Sequence, residues 1–131
     1  MKKRIFLIDD NMRSLDNAVQ ALESIYTVDK CQSNIKAKRL LTAVHYDLLI
    51  IDVMMPTMGL SNDDEFRAGY NLFFEFAQDR QKGVPVIFWT NASEESFQGV
   101  KQKFSNIDNV HFLQKSDDDN ELLKIVNQIL K

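Results

Sequence analysis

Four short runs of consecutive apolar residues constrain the fold of this chain more than any other feature. The runs are Ile5–Ile8, Leu48–Ile51, Val86–Trp89 and Val110–Leu113, and a weaker β-like stretch covers Tyr26–Cys31. Each has the length of a strand, and the apolar residues are consecutive rather than alternating. A strand of this kind is buried on both faces, as in a parallel sheet covered by helices. The pattern therefore predicts five parallel strands in a layered α/β fold.

The segments between these runs carry apolar residues at helical spacing. In Ser14–Ser24 and Ser33–Val44 they recur every three or four residues, and each segment begins at a serine suited to cap a helix. A third helix is predicted over Asn71–Arg80, a fourth after Ser93 and a fifth after Asp118. Strands and helices thus alternate five times, which predicts a three-layer α/β/α sandwich of the flavodoxin-like (βα)5 type.

Composition limits the class of protein. With 131 residues, 44% of them hydrophobic and 27% charged, the chain has the size and balance of one soluble domain over residues 1–131. No apolar run approaches the roughly 20 residues that span a membrane. Cys31 is the single cysteine and cannot form an intrachain disulfide, so we expect a reducing, cytoplasmic setting and a small core side chain there. The net charge of −3 gives no general attraction to nucleic acid or anionic lipid, so direct binding to either is not expected.

Polar side chains follow the apolar runs where the predicted strands end. They are Asp9 and Asp10 after the first strand, Asp52 after the third, Thr90 after the fourth and Lys115 after the fifth. In a parallel sheet of order 2-1-3-4-5, strands one and three are neighbours, and a crevice opens between their carboxyl ends. The acids then converge, and two carboxylates about 4 Å apart repel by about 4 kcal/mol at an effective dielectric of about 20. A bound Mg²⁺ would offset this repulsion, because it prefers carboxylate, carbonyl and water oxygens.

A metal-bound carboxylate beside a hydroxyl and an ammonium is suited to phosphoryl transfer. Asp52 would be the nucleophile and would form an acyl phosphate, with Asp9 and Asp10 holding the cation. Thr90 would donate to one phosphoryl oxygen, and Lys115 would pair with another. If Asp52 were only a turn residue, its four companions at the strand ends would be a coincidence.

The segments IFLIDD, LLIIDVMMP, VIFWT and FLQK occur in that order over nearly the whole chain. Together they resemble the receiver domain of bacterial two-component response regulators. The resemblance implies one set of groups around a phosphorylation site: the phosphoacceptor Asp52, the Mg²⁺ ligands Asp9, Asp10, Asp52 and the Met54 carbonyl, the phosphate-binding Thr90 and Lys115, and the switch pair Thr90 and Phe112.

The resemblance also implies how such a domain signals. A histidine kinase or phosphotransfer protein would donate the phosphoryl group, and an unknown downstream protein would be the target. Thr90 would move toward the new phosphate, and Phe112 would follow into the vacated space. The shift would change the face formed by the fourth predicted helix, the fifth strand and the fifth predicted helix. Such a domain is a phosphoacceptor that assists its own phosphorylation and dephosphorylation rather than an enzyme.

Several features depart from the family pattern. Residues 53–68 form a connection of 16 residues, and its acidic run 63–65 is either solvated, a gate for the phosphodonor or a contact for a partner. Ser116 stands where the family usually has proline, and Asn91 stands where a small residue is common. The predicted third helix is apolar on more than one stripe. Its aromatic residues either pack under the long connection or form a partner or homodimer surface.

Two other functions remain open at this point. A degenerate receiver would keep the fold as a phosphorylation-independent protein-interaction module. This alternative is based on Ser116, Asn91 and the long connection. A hydrolase of the aspartyl-phosphate type would typically place a second acid two residues after the nucleophile, where this chain has Met54. His45 and His111 lack metal-ligand spacing and are assigned no role.

Overall fold

Strands and helices alternate along the chain, and the computed structural model describes residues 2–9, 16–52, 81–90, 109–114 and 119–130. In chain order the elements are β1 (Arg4–Ile8), α1 (Asp16–Glu23), β2 (Thr27–Cys31), α2 (Asn34–Ala43), β3 (Leu48–Ile51), β4 (Val86–Thr90), β5 (Val110–Gln114) and α3 (Asp119–Leu130). These bounds agree with all five predicted strands and with the first, second and fifth predicted helices. The helices predicted over 71–80 and after Ser93 lie outside the described residues.

The five strands form one parallel sheet in the order β2-β1-β3-β4-β5. The predicted flavodoxin-like order is therefore confirmed. β3 is buried along its whole length, and β1 is buried after its first residue. Both strands lie inside the sheet, so the consecutive apolar runs have the physical cause inferred for them, which is burial on both faces.

Apolar clusters cover both faces of the sheet, which gives the three layers. On one face α2 packs against a cluster whose strand members include Phe6, Ile8, Leu49, Ile51 and Phe88. On the other face α1 and α3 pack against a cluster whose strand members include Ile5, Leu7, Leu48, Ile50, Ile87 and Trp89. Alternate residues of each strand join opposite clusters, as the two-residue period of a strand requires. None of the helices in the described part of the chain is long and apolar enough to cross a membrane.

Both ends of α2 are held by side-chain hydrogen bonds. At its start the predicted cap Ser33 has extended backbone angles, with φ −132° and ψ 149°, and its Oγ accepts a hydrogen bond from the Lys36 N–H at 3.2 Å. At its end the side chain of Gln81, from the segment before β4, donates to the Leu41 and Val44 carbonyls. A remote residue therefore satisfies carbonyls that a helix end leaves without partners.

A polar network ties the edge strand β2 to the sheet beneath α2. Arg4 Nε donates to the Asp29 carboxylate at 2.9 Å, and the Tyr46 hydroxyl donates to the same carboxylate at 2.8 Å. The Tyr46 ring is fully buried and packs on Phe6 with ring centroids 5.4 Å apart. Burial, followed by the hydrogen bond to Asp29, raises the pKa of Tyr46 above its ordinary value, so the phenol stays protonated and keeps donating.

Candidate functional site

The carboxyl ends of β1 and β3 bring two acids to adjoining positions. Ile8 and Ile51 are the last Cα partners of the two strands, and Asp9 and Asp52 are the next residues. The Asp52 N–H donates to the Ile8 carbonyl at 3.0 Å, so the ladder continues one step past the strands. On the other side, the Asp9 N–H donates to the Cys31 carbonyl at 3.2 Å. Three neighbouring strands thus hold the backbone of the acidic pair in place.

Both acids are shielded from solvent. Asp9 is 0% exposed and Asp52 is 4% exposed. Acidic side chains are rarely buried this completely unless they are paired or bind a cation. Their strands are about 4.8 Å apart, so the repulsion between the two carboxylates adds to the cost of burying them. The donor chemistry fits a small cation that prefers oxygen ligands, of which Mg²⁺ is the example inferred from the sequence.

Part of the predicted ligand set lies outside the described residues. Within residues 2–9, 16–52, 81–90, 109–114 and 119–130, no three His, Cys, Asp or Glu side chains form a group that could hold a metal ion. The predicted ligands Asp10 and the Met54 carbonyl lie outside the described residues, and so does Lys115. Their roles stay predictions, although Asp10 directly follows the buried Asp9 and Lys115 directly follows the end of β5.

The end of β4 lies beside the end of β3. Thr90 is the last residue of β4, and its strand is the neighbour of the one that leads into Asp52. The Cα partner of Thr90 on β5 is Gln114, the last residue of that strand. The sheet therefore brings the ends of β1, β3, β4 and β5 to a single edge, where the candidate groups were predicted to lie.

Phe112, the candidate switch aromatic, lies on the edge strand β5 and is half-buried. Its Cα partner on β4 is Phe88, which is fully buried. The two ring centroids are 5.5 Å apart, and the ring planes make an angle of 32°. This is the spacing of an attractive aromatic pair, and the pair was not among the predictions from the sequence.

A family model for the response regulator receiver domain matches residues 5–127. The chain belongs to this family. The resemblance inferred from the strand-end motifs is therefore confirmed, and the chain is a receiver domain of the kind that serves phosphorylation-based signalling. The matched range begins within β1 and ends within α3, so it includes every candidate site residue from Asp9 to Lys115.

Solved receiver domains share this fold. A CheY-like receiver domain protein from Methanospirillum hungatei JF-1 is 24% identical, with 99% of this chain and 94% of that chain covered and a TM-score of 0.75. The chemotaxis response regulator CheY4 of Vibrio cholerae is 18% identical, with 99% and 100% covered and a TM-score of 0.76. The BeF3-activated DrrB receiver domain is 19% identical, with 99% and 98% covered and a TM-score of 0.73. No curated protein sequence matches the chain.

An open hollow of about 510 Å³ lies at the carboxyl end of β2 in this receiver domain. Its lining residues are Lys30, Cys31, Gln32, Ser33 and Lys36. Cys31 itself is 3% exposed, so the prediction that it is a small core residue is confirmed.

We expect Cys31 to be nearly inert toward iodoacetamide in the folded receiver domain. Burial raises the pKa of its thiol from 9.0 to about 12, so the reactive thiolate is scarce at pH 8. Alkylation followed by mass spectrometry should be at least about tenfold slower in buffer than in concentrated urea, where the chain is unfolded. Equal rates in the two solutions would contradict the buried position of the thiol.

Proposed function

We propose that this receiver domain is a phosphorylation-operated signalling switch in which Asp52 accepts a phosphoryl group in the presence of Mg²⁺. One observation carries the proposal, namely the burial of Asp9 and Asp52 at adjoining ends of neighbouring parallel strands. Burying two acids side by side is costly unless positive charge accompanies them. In a phosphorylation site a bound cation would offset this cost, because it attracts both the acids and the incoming phosphoryl oxygens.

In the proposed reaction, a carboxylate oxygen of Asp52 forms a bond to phosphorus. The bond from phosphorus to the donor breaks, and the electron pair leaves with the histidine nitrogen of a kinase or phosphotransfer protein, or with the oxygen of a small acyl phosphate. Asp9 would hold Mg²⁺ together with Asp10, Asp52 and the Met54 carbonyl. Bound Mg²⁺ supplies positive charge to the phosphoryl oxygens during transfer.

Two further groups complete the proposed site. The Thr90 hydroxyl would donate to one phosphoryl oxygen, and the Lys115 ammonium would pair with another. Thr90 would move toward the bound phosphoryl group, and Phe112 would follow it inward. The change would alter the surface around β5 and α3 and thereby its affinity for a downstream protein.

Incubation with Mg²⁺ and acetyl phosphate tests the proposal. We expect intact-protein mass spectrometry to find one added phosphoryl group on the wild type and none on Asp52→Asn, because an amide oxygen is a poor nucleophile. Asp47→Asn is the matched control, since Asp47 lies at the opposite end of β3, and asparagine retains an oxygen to accept the Arg4 N–H. This variant should incorporate phosphate as the wild type does.

Two outcomes would contradict the proposal. Incorporation that persists in Asp52→Asn would place the acceptor elsewhere. A wild type that takes up no phosphate, either from acetyl phosphate or from histidine kinases, would favour the degenerate receiver that binds its partner independently of phosphorylation.

A further inference from the structure

Phe88 and Phe112 form a cross-strand aromatic pair close to the proposed phosphorylation site. They are Cα partners in the β4·β5 ladder, with ring centroids 5.5 Å apart. Phe88 lies two residues before Thr90 on the same strand. The pair therefore connects the strand that ends at the proposed switch hydroxyl with the strand that carries the candidate switch aromatic.

The two rings differ in how firmly they are held. Phe88 is fully buried, lies on a strand with a neighbour on each side, and belongs to the cluster beneath α2. Phe112 lies on the edge strand, is half-buried and packs against that cluster from outside. In a close-packed interior the buried ring has no room to change orientation, whereas the edge ring has solvent on one side. Phe88 is thus the fixed member of the pair, and Phe112 is the member that can move.

We propose that Phe88 is a positioning residue that favours the inward orientation of Phe112, in which the two rings are in contact, and that it thereby raises the affinity of the site for a phosphoryl group. The inference rests on the proposed function, in which Phe112 turns inward when the phosphoryl group is bound. By linkage, a contact that favours the inward ring raises the affinity for the phosphoryl group by at most the same factor, and by nearly that factor while the inward ring is the minor form. The contact thus shifts the equilibrium toward the signalling state in which Phe112 is turned inward.

The size of the effect follows from aromatic pairing. Such a pair contributes beyond simple area burial, by an amount that corresponds to a change of about twofold to tenfold in an equilibrium constant. Leucine at position 88 would keep most of the apolar volume while removing the ring. Phe88→Leu should therefore change the switch equilibrium without emptying the core.

The binding of beryllium fluoride measures this equilibrium, because beryllium fluoride activates the related DrrB receiver domain. Isothermal titration in Mg²⁺ should give a dissociation constant for beryllium fluoride that is about twofold to tenfold higher in Phe88→Leu than in the wild type. The dissociation constant for Mg²⁺ alone should not change. The matched control is Phe6→Leu, since Phe6 is equally buried in the same cluster but packs on Tyr46 instead. It should bind beryllium fluoride as the wild type does.

A double-mutant cycle separates positioning from a general loss of packing. In a Phe112→Leu background, Phe88→Leu should weaken beryllium fluoride binding no further. An equal loss in that background, or an unchanged dissociation constant in Phe88→Leu alone, would overturn the inference while leaving the phosphorylation site standing. A wild type that fails to bind beryllium fluoride would instead contradict the proposed function, and the inference would fall with it.

Discussion

Replacing Gln81 with leucine is expected to lower the free energy of unfolding by at least about 3 kcal/mol, because two buried backbone groups and one partly buried one lose a partner at a typical cost of about 1 to 3 kcal/mol each. The Gln81 side chain is 4% exposed. Its Nε2 donates to the Leu41 carbonyl at 2.9 Å and to the Val44 carbonyl at 2.7 Å, and its Oε1 accepts from the Tyr46 N–H at 3.0 Å. Leucine has a similar size but forms none of these bonds.

Urea denaturation followed by circular dichroism measures this change. The midpoint should fall while the slope stays the same, since the extent of unfolding is unaltered. Gln128→Leu is the matched control, because Gln128 lies exposed on α3, and surface changes usually stay within about 0.5 kcal/mol. A midpoint for Gln81→Leu equal to that of the control would mean that water replaces the lost hydrogen bonds.

The importance of Gln81 could not be predicted from the sequence. Its partners lie 35 to 40 residues earlier in the chain, and two of them are backbone carbonyls. Helix caps and turns have local sequence signals, as Ser33 illustrates, but a remote side chain that closes a helix end has none. The hydrogen bonds of Asp29 with Arg4 and Tyr46 are equally non-local. Such contacts become visible only when the order and register of the strands are known.

The strands were predictable because their sequence signal is local, whereas the hydrogen bonds of Gln81 are non-local. Burial on both faces is a property of each strand by itself, so β1, β3 and β4 appear as unbroken apolar runs. β2 gave a weaker signal because it is an edge strand, and Asp29 and Lys30 keep contact with solvent. Charged residues on an edge are also the usual protection against pairing with another sheet.

The acidic pair was predictable because each acid has a local sequence signal and the predicted strand order brings the two acids together. Each acid follows an apolar run, and the strand order makes β1 and β3 neighbours. The contact between Phe88 and Phe112 was missed, although aligning VIFWT with VHFLQ as neighbouring strands brings the two phenylalanines to the same level. Asp10, Met54 and Lys115 remain predictions, because they lie outside the described residues.

Magnesium is expected to stabilise the folded domain, and Asp9→Asn is expected to abolish most of this effect. A ligand that binds only the folded state adds about 2.7 kcal/mol when its free concentration is a hundred times its dissociation constant. Asparagine at position 9 keeps an oxygen but loses the negative charge that attracts the cation.

Urea denaturation in Mg²⁺ and in EDTA, at matched ionic strength, separates binding from charge screening. Asp47→Asn provides the control for charge, since it removes an acid from the amino end of β3, whereas Asp52 follows the carboxyl end. It should keep the whole Mg²⁺ effect. If Asp9→Asn gained as much stability from Mg²⁺ as the wild type, the cation would have to bind away from the acidic pair. The burial of Asp9 beside Asp52 would then require positive charge from the protein alone, and the structural argument for a metal-assisted phosphorylation site would no longer hold.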